Sequence, residues 1–116
     1  MNKTKMLKKN YEFSQIFSKG KYYSGSVIEA FILKNRTNIN YLGLAVSAKS
    51  GHAYQRNRIK RLLRENYKNY ESQIIEGISI IFLLKKSTKI DEISFKQINY
   101  DIEKIFKKAK IIIEKE

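Results

Sequence analysis

Four arginines fall within nine residues, in the run Arg56-Asn57-Arg58-Ile59-Lys60-Arg61-Leu62-Leu63-Arg64. Elsewhere the chain draws its positive charge almost wholly from lysine, with 19 Lys against 5 Arg overall. Guanidinium is planar and offers a fork of N–H donors that meets phosphate oxygens two at a time, whereas ammonium is a point charge. The chemistry in view is therefore recognition of a polyanion, with nucleic acid as the partner.

Residues able to break bonds are scarce. His52 is the only histidine and there is no cysteine. His52 thus has neither partners for a metal site nor a nucleophile to activate, and reads as an RNA-facing or plain loop residue. No acid stands between Ala30 and Arg64. Asp91, Glu92, Asp101 and Glu103 could suggest Mg²⁺, but they surround a near-neutral C-terminal helix and read as a solvated face. A self-sufficient nuclease needs a carboxylate cluster or a histidine acid/base pair, and the basic half has neither.

Charge is distributed unevenly over the 116 residues, whose net charge is +13. Residues 1–64 hold 14 Lys/Arg against Glu12 and Glu29, while residues 65–116 hold 10 against 9. An acid-poor basic half is an electrostatic footprint for a polyanion. No apolar run reaches the roughly 18 residues of a membrane span, and the basic N-terminus lacks the apolar core of a secretory signal. The absence of cysteine fits the cytoplasm. Length predicts a single domain over 1–116, with residues 1–9 a flexible basic arm.

The elements that must position these cations follow from periodicity. On a wheel of about 100° per residue centred on Ile59, the apolar residues Ile59, Leu62, Leu63, Tyr67 and Tyr70 lie between about −60° and +80°. Asn57, Lys60, Arg61, Arg64 and Lys68 lie between about 100° and 200°, with Arg56 and Arg58 flanking the stripe. This predicts a helix over 55–70 with a core face and a cationic face. Tyr11 to Lys19 reads as a short helix ended by Gly20. Phe13, Ile16 and Phe17 share one face of it, and Phe13 and Phe17 suit either core packing or stacking on bases.

Strands are expected at 21–24, 27–34, 41–47 and 78–84. In the third, Leu42, Leu44 and Val46 face one way. Gly43, Ala45 and Ser47 leave the other face bare, so that something can approach the sheet closely. The run 78–84 is apolar on both faces, as in a covered strand. A last helix opens with a Ser94/Gln97 capping box and an Ile93–Ile98 staple. Ile98, Ile102, Ile105, Phe106, Ala109 and Ile113 form its buried stripe. The fold class is α/β, a small two-layer sandwich in the order α-β-β-β-α-β-α with a mixed four-stranded sheet.

The stretch Gly43 to Glu65 resembles the signature of the bacterial ribonuclease P protein subunit family. There a Gly-x-x-Val-Ser-x-Lys strand and loop, here Gly43 to Lys49, leads into an Arg-Asn-Arg-x-x-Arg helix, here Arg56 to Arg61. Leu7-Lys8-Lys9 followed by Phe13-x-x-Ile16-Phe17-x-x-Gly20 is similar to the family's opening. Ala48 stands where the family usually has a second lysine, and His52 where it has asparagine. Tyr54 and Gln55 replace small or aliphatic residues.

The resemblance implies a ribosomal-protein-like fold with a left-handed β-α-β crossover through the arginine helix. It also implies the protein partner of a catalytic RNA that removes 5′ leaders from precursor tRNA, in a 1:1 ribonucleoprotein. In that family the RNA performs the hydrolysis with Mg²⁺ and the protein supplies no catalytic group, so no cofactor or metal is expected on the chain. Arg56, Asn57, Arg58, Lys60, Arg61, Arg64 and Lys68 would contact the catalytic RNA. Phe13, Phe17, Phe31, Lys49 and His52 would line the leader cleft. Charge alone leaves open a ribosomal or general RNA-binding module of similar fold.

Overall fold

The middle of the sheet is the strand with no polar face. Residues Ile78–Leu84 are buried almost throughout, and a strand in which both sets of alternating side chains are apolar needs cover on both faces. The structure, a computed structural model, describes residues 3–86 and 89–113. Its elements are β1 (Thr4–Met6), α1 (Asn10–Lys19), β2 (Lys21–Ser24), β3 (Ile28–Lys34), β4 (Asn40–Ala45), α2 (Ala53–Tyr70), β5 (Ile78–Leu84) and α3 (Phe95–Ala109). The strand order is β1-β4-β5-β3-β2. β4 runs parallel to both β1 and β5, and β3 is antiparallel to both β5 and β2.

Alternation divides the molecule into two layers around this sheet. Ile28, Ala30 and Ile32 of β3, Leu42 of β4, and Ile80 and Phe82 of β5 join Ile59, Leu63 and Tyr67 of α2 and Ile98, Ile102 and Phe106 of α3 in the main core. The opposite face carries a smaller cluster, in which Leu7, Ile16 and Ile81 pack with Phe13, Phe31, Leu33 and Leu83 beneath α1. Each large apolar side chain so buried contributes about 1.5–3 kcal/mol.

The bare face of β4 is what admits α1. A Cβ at Gly43 would lie 2.6 Å from the Phe13 ring and 2.8 Å from a Leu7 methyl carbon. Gly20 ends α1 in an extended conformation, φ −76°, so it does not serve as a left-handed cap. Its requirement is space, since a Cβ there would sit 2.5 Å from the Ile16 carbonyl oxygen.

Four expectations are corrected. The sheet has five strands, because Thr4–Met6 pairs with Asn40–Leu42 along the free edge of β4. The basic arm is therefore an edge strand over 4–6, while residues 1 and 2 lie outside the described residues. Tertiary contacts make the strand: the Leu7 N–H donates to the Leu42 carbonyl at 2.8 Å, and the Thr4 and Tyr67 hydroxyls share a buried 2.7 Å hydrogen bond. Ile113 lies beyond the end of α3 and is exposed, and Ile111 is the residue buried there. The predicted capping box does open α3: the Gln97 N–H donates to Ser94 Oγ and the Ser94 N–H to Gln97 Oε1.

Asp101 is the fourth correction, because it is fully buried and not on a solvated face. Its carboxylate accepts from the backbone N–H groups of Ser26 at 2.9 Å, Val27 at 2.7 Å and Ile28 at 3.1 Å. Gly25 makes room for it, since a Cβ there would fall 2.5 Å from the Asp101 carboxyl carbon. The loop between β2 and β3 is thus folded around a side chain of α3.

Two outcomes are expected. Asp101→Ala strands three backbone donors and should cost on the order of 3 kcal/mol or more of folding free energy, read by urea unfolding. Burial pushes the Tyr67 hydroxyl up to about 12, the Thr4 bond acting in the opposite direction. Between its unfolded value near 10 and that figure the folded state binds the extra proton, so stability is present below about pH 10 and falls as pH rises. Tyr67→Phe should flatten that alkaline loss by about 2–3 kcal/mol between pH 10 and 12.

Candidate nucleic-acid interface

Helix α2 follows β4 through a loop and returns to β5, so its N-terminus stands at the C-terminal end of the parallel strands. His52 is its N-cap residue. The His52 N–H donates to Gln55 Oε1 at 2.7 Å, and Gln55 Nε2 donates to Asp91 Oδ1 at 2.8 Å. Gln55 therefore closes the first turn and ties it to the loop before α3.

The buried side of α2 is Ile59, Leu63, Asn66 and Tyr67. Leu63 is fully buried while Leu62 is only partly so, which makes Leu63 the anchor. Asn66 was not anticipated as a core residue. Its amide donates to the Leu62 carbonyl at 3.0 Å and the Phe95 carbonyl at 3.4 Å. The helical wheel places it at about −20°, inside the apolar stripe, and that angle was the available signal.

The cationic face is where the wheel puts it. Asn57, Arg61, Arg64 and Lys68 are exposed, and Lys60 is half-buried. Arg56 and Arg58, at the borders of the stripe, each use one N–H internally. Arg56 Nε donates to the Gly51 carbonyl at 3.2 Å, and Arg58 Nη2 to the Ile93 carbonyl at 2.8 Å. A guanidinium has five N–H donors, so both forks are held in place with most of their donors unspent. Among the described residues the only ion pair is Lys107–Glu103 on α3. The arginines of α2 are not neutralised by the chain's own described carboxylates.

A second surface lies across the sheet, where α1 meets β3 and β2. Phe13, Phe17 and Phe31 come together here. Ring centroids are 6.5 Å apart for Phe13–Phe17 and 5.1 Å, edge to face, for Phe17–Phe31. Phe13 is half-buried over Gly43, whereas Phe17 is 37% exposed. Tyr22 extends the row at 5.3 Å from Phe31 and is 48% exposed. Sequence reading missed it. The signal was the β2–β3 hairpin, whose register sets Tyr22 opposite Phe31. The Tyr22 hydroxyl donates to Glu29, and that carboxylate holds the phenol above its ordinary range.

Lys49 and His52 do not join this row. Lys49 is exposed on the turn Ala48–Ser50, whose start Ser47 caps. The His52 ring stacks on Tyr54, with centroids 5.9 Å apart and planes 6° from parallel. This pair projects at the start of α2. The described residues bring no three His, Asp or Glu side chains together. Asp101 is bonded to three backbone amides, and Glu12 accepts from the Lys8 and Lys9 N–H groups, which hold its carboxyl below the usual range. No helix among the described residues is long and apolar enough to cross a membrane.

A family model described as Ribonuclease P matches residues 1–110. The ribonuclease P protein component of Clostridium botulinum (strain Loch Maree / Type A3) is 36% identical over 110 residues, covering 94% of this chain and 97% of the relative. That of Fusobacterium nucleatum is 38% identical over 108 residues, covering 91% and 97%. Among solved structures, the Staphylococcus aureus RNase P protein shares 32% identity. It superposes with a TM-score of 0.81 over 92% of this chain and 96% of that one.

The two sides of α2 are expected to separate on substitution. Leu63→Ala should cost about 2–5 kcal/mol in chemical unfolding. Arg61→Ala and Arg64→Ala should stay within about 0.5 kcal/mol of the parent protein, while weakening RNA binding in a filter or fluorescence assay.

Proposed function

The chain belongs to the ribonuclease P protein family, and from that premise we propose that the outward face of α2 docks on the RNA of that ribonucleoprotein. The observation that carries the reading is the set of exposed, unpaired cations on α2, with the Arg56 and Arg58 forks already oriented. As a ribonuclease P protein component the chain is part of an endoribonuclease. In our reading the RNA holds the groups and metal ions that cleave, and the protein positions RNA. The chain's well-placed carboxylates support this, because Asp101, Glu12 and Glu29 are bonded to the protein itself.

The row Phe13, Phe17, Phe31 and Tyr22 receives the single-stranded 5′ leader of precursor tRNA. Stacking on such rings is worth about 1–3 kcal/mol per base and tolerates any sequence. Phe17 and Tyr22 offer exposed ring surface, while Phe13 supports Phe17 from its seat over Gly43. Lys49 and the His52–Tyr54 pair lie at the loop that leads into α2 and serve the path between the two surfaces. One protein acts with one RNA in the cytoplasm.

The test is reconstitution. The protein alone should leave precursor tRNA intact, and adding it to its cognate RNA at low Mg²⁺ should stimulate leader removal. No stimulation would refute the reading. If roughly 6–8 phosphates are neutralised, log affinity for the RNA should fall against log salt with a slope of about −5 to −7. An equal preference for unrelated structured RNA would favour a general RNA-binding module instead.

A further inference from the structure

Arg36 is the one arginine outside α2, and its backbone is left-handed, φ 61°. That conformation suits glycine or asparagine and is uncommon for a long side chain. The turn that holds it is built with care. The Asn35 amide nitrogen donates to the Ile39 carbonyl at 2.9 Å and to Ser79 Oγ at 3.0 Å. Asn35 Oδ1 accepts from the Thr37 N–H at 2.9 Å and the Thr37 hydroxyl at 2.7 Å. The Asn35 N–H donates to the Gly77 carbonyl at 2.9 Å. Gly77, φ 81°, presses against the same turn, since a Cβ there would meet the Thr37 carbonyl oxygen at 2.4 Å.

This turn forms one wall of a cavity of about 470 Å³ between α1 and the sheet. Its strand residues, Leu33, Tyr41 and Ser79, lie where β3 ends and β4 and β5 begin. The loop before α2 lies at the other end of the same face, while Phe31 of the aromatic row stands two residues from Leu33 along β3. Three cations from three elements line the cavity: Lys19 from the last turn of α1, Lys34 from the end of β3, and Arg36. The single carboxylate on its wall, Glu12, has Oε1 bonded to the Lys8 and Lys9 N–H groups. None of the three cations forms an ion pair with a described residue. A half-buried tyrosine, Tyr41, and Leu33 supply an apolar floor.

We propose that this cavity is a second RNA-binding site, which takes one nucleotide with its phosphate on Lys19, Lys34 and Arg36 and its base over Tyr41. The hydrogen-bonded turn holds the Arg36 backbone in a disfavoured conformation, which sets where this exposed side chain leaves the chain, at the wall of the cavity. A chain that otherwise uses lysine places arginine where two phosphate oxygens are to be met together. The volume exceeds what a bare phosphate fills, and the floor suits a planar ring.

The test titrates adenosine 5′-monophosphate, and separately inorganic phosphate, into the full-length ¹⁵N-labelled protein. Saturating amide shifts are expected at 34–37 and at Ser79, with the nucleotide binding more tightly than phosphate. Arg36→Gly suits the turn's backbone, so it should keep the fold and an equal or higher melting temperature. It should weaken nucleotide binding by at least about five-fold. A single-stranded oligoribonucleotide should displace the nucleotide, and failure to displace it would overturn the assignment to RNA. The site is refuted if shifts appear only along α2 or the aromatic row. It is equally refuted if Arg36→Gly binds as the parent does, or if phosphate binds as tightly as the nucleotide. No ribonuclease P RNA enters the experiment, so its outcome is independent of the reconstitution.

Discussion

Uncompensated like charge on α2 is the constraint around which the rest is arranged. Arg56, Lys60, Arg64 and Lys68 follow one another at intervals of four residues, each pair costing a few tenths of a kcal/mol in an isolated helix. No described carboxylate of the protein relieves them. Burial on the other side outweighs the repulsion. Ile59, Leu63 and Tyr67 are fully buried, and each such side chain contributes about 1.5–3 kcal/mol. The helix persists as a display of cations because its opposite face is part of the main core.

The sheet keeps the two working surfaces from competing for the same residues. α2 and α3 draw on one set of alternating side chains, and α1 with the aromatic row draws on the other. Phe13 reaches across to the β4 backbone only because Gly43 lacks a side chain. α1 is thereby seated firmly enough for Phe17 to remain partly in solvent beside Phe31. Stacking surface and charged surface are each backed by a separate packed layer.

Much of this was legible where period and composition agreed. The run of apolar residues at 78–84 could only be a covered strand. The alternation at 42–46 assigned both faces of β4 correctly, and the wheel of α2 separated anchor from cations. What escaped depended on partners distant in sequence. Thr4–Met6 is too short to show a period and becomes a strand through Asn40–Leu42 and Tyr67. Asp101 looks like any surface acid until the loop at 25–28 closes on it. Tyr22 joins the aromatic row through a register that the hairpin imposes. Arg36 drew no attention alone, because its setting is made by its neighbour Asn35 with Gly77 and Ser79, some forty residues away in the chain.

The placement of β5 carries a consequence for how the molecule comes into being. β3 and β4 are neighbours along the chain, yet in the sheet β5 lies between them. Until residues 78–84 have been synthesised, the β2–β3 hairpin and the β4 edge have no common partner. The Asp101 clamp waits longer still. A nascent chain thus exposes its whole basic half on the ribosome before any native sheet can close. Such late, non-local pairing slows folding and lengthens the interval of exposure. The cation-rich N-terminal half is consequently not a transplantable module: its shape is conferred by the nearly neutral half that follows it.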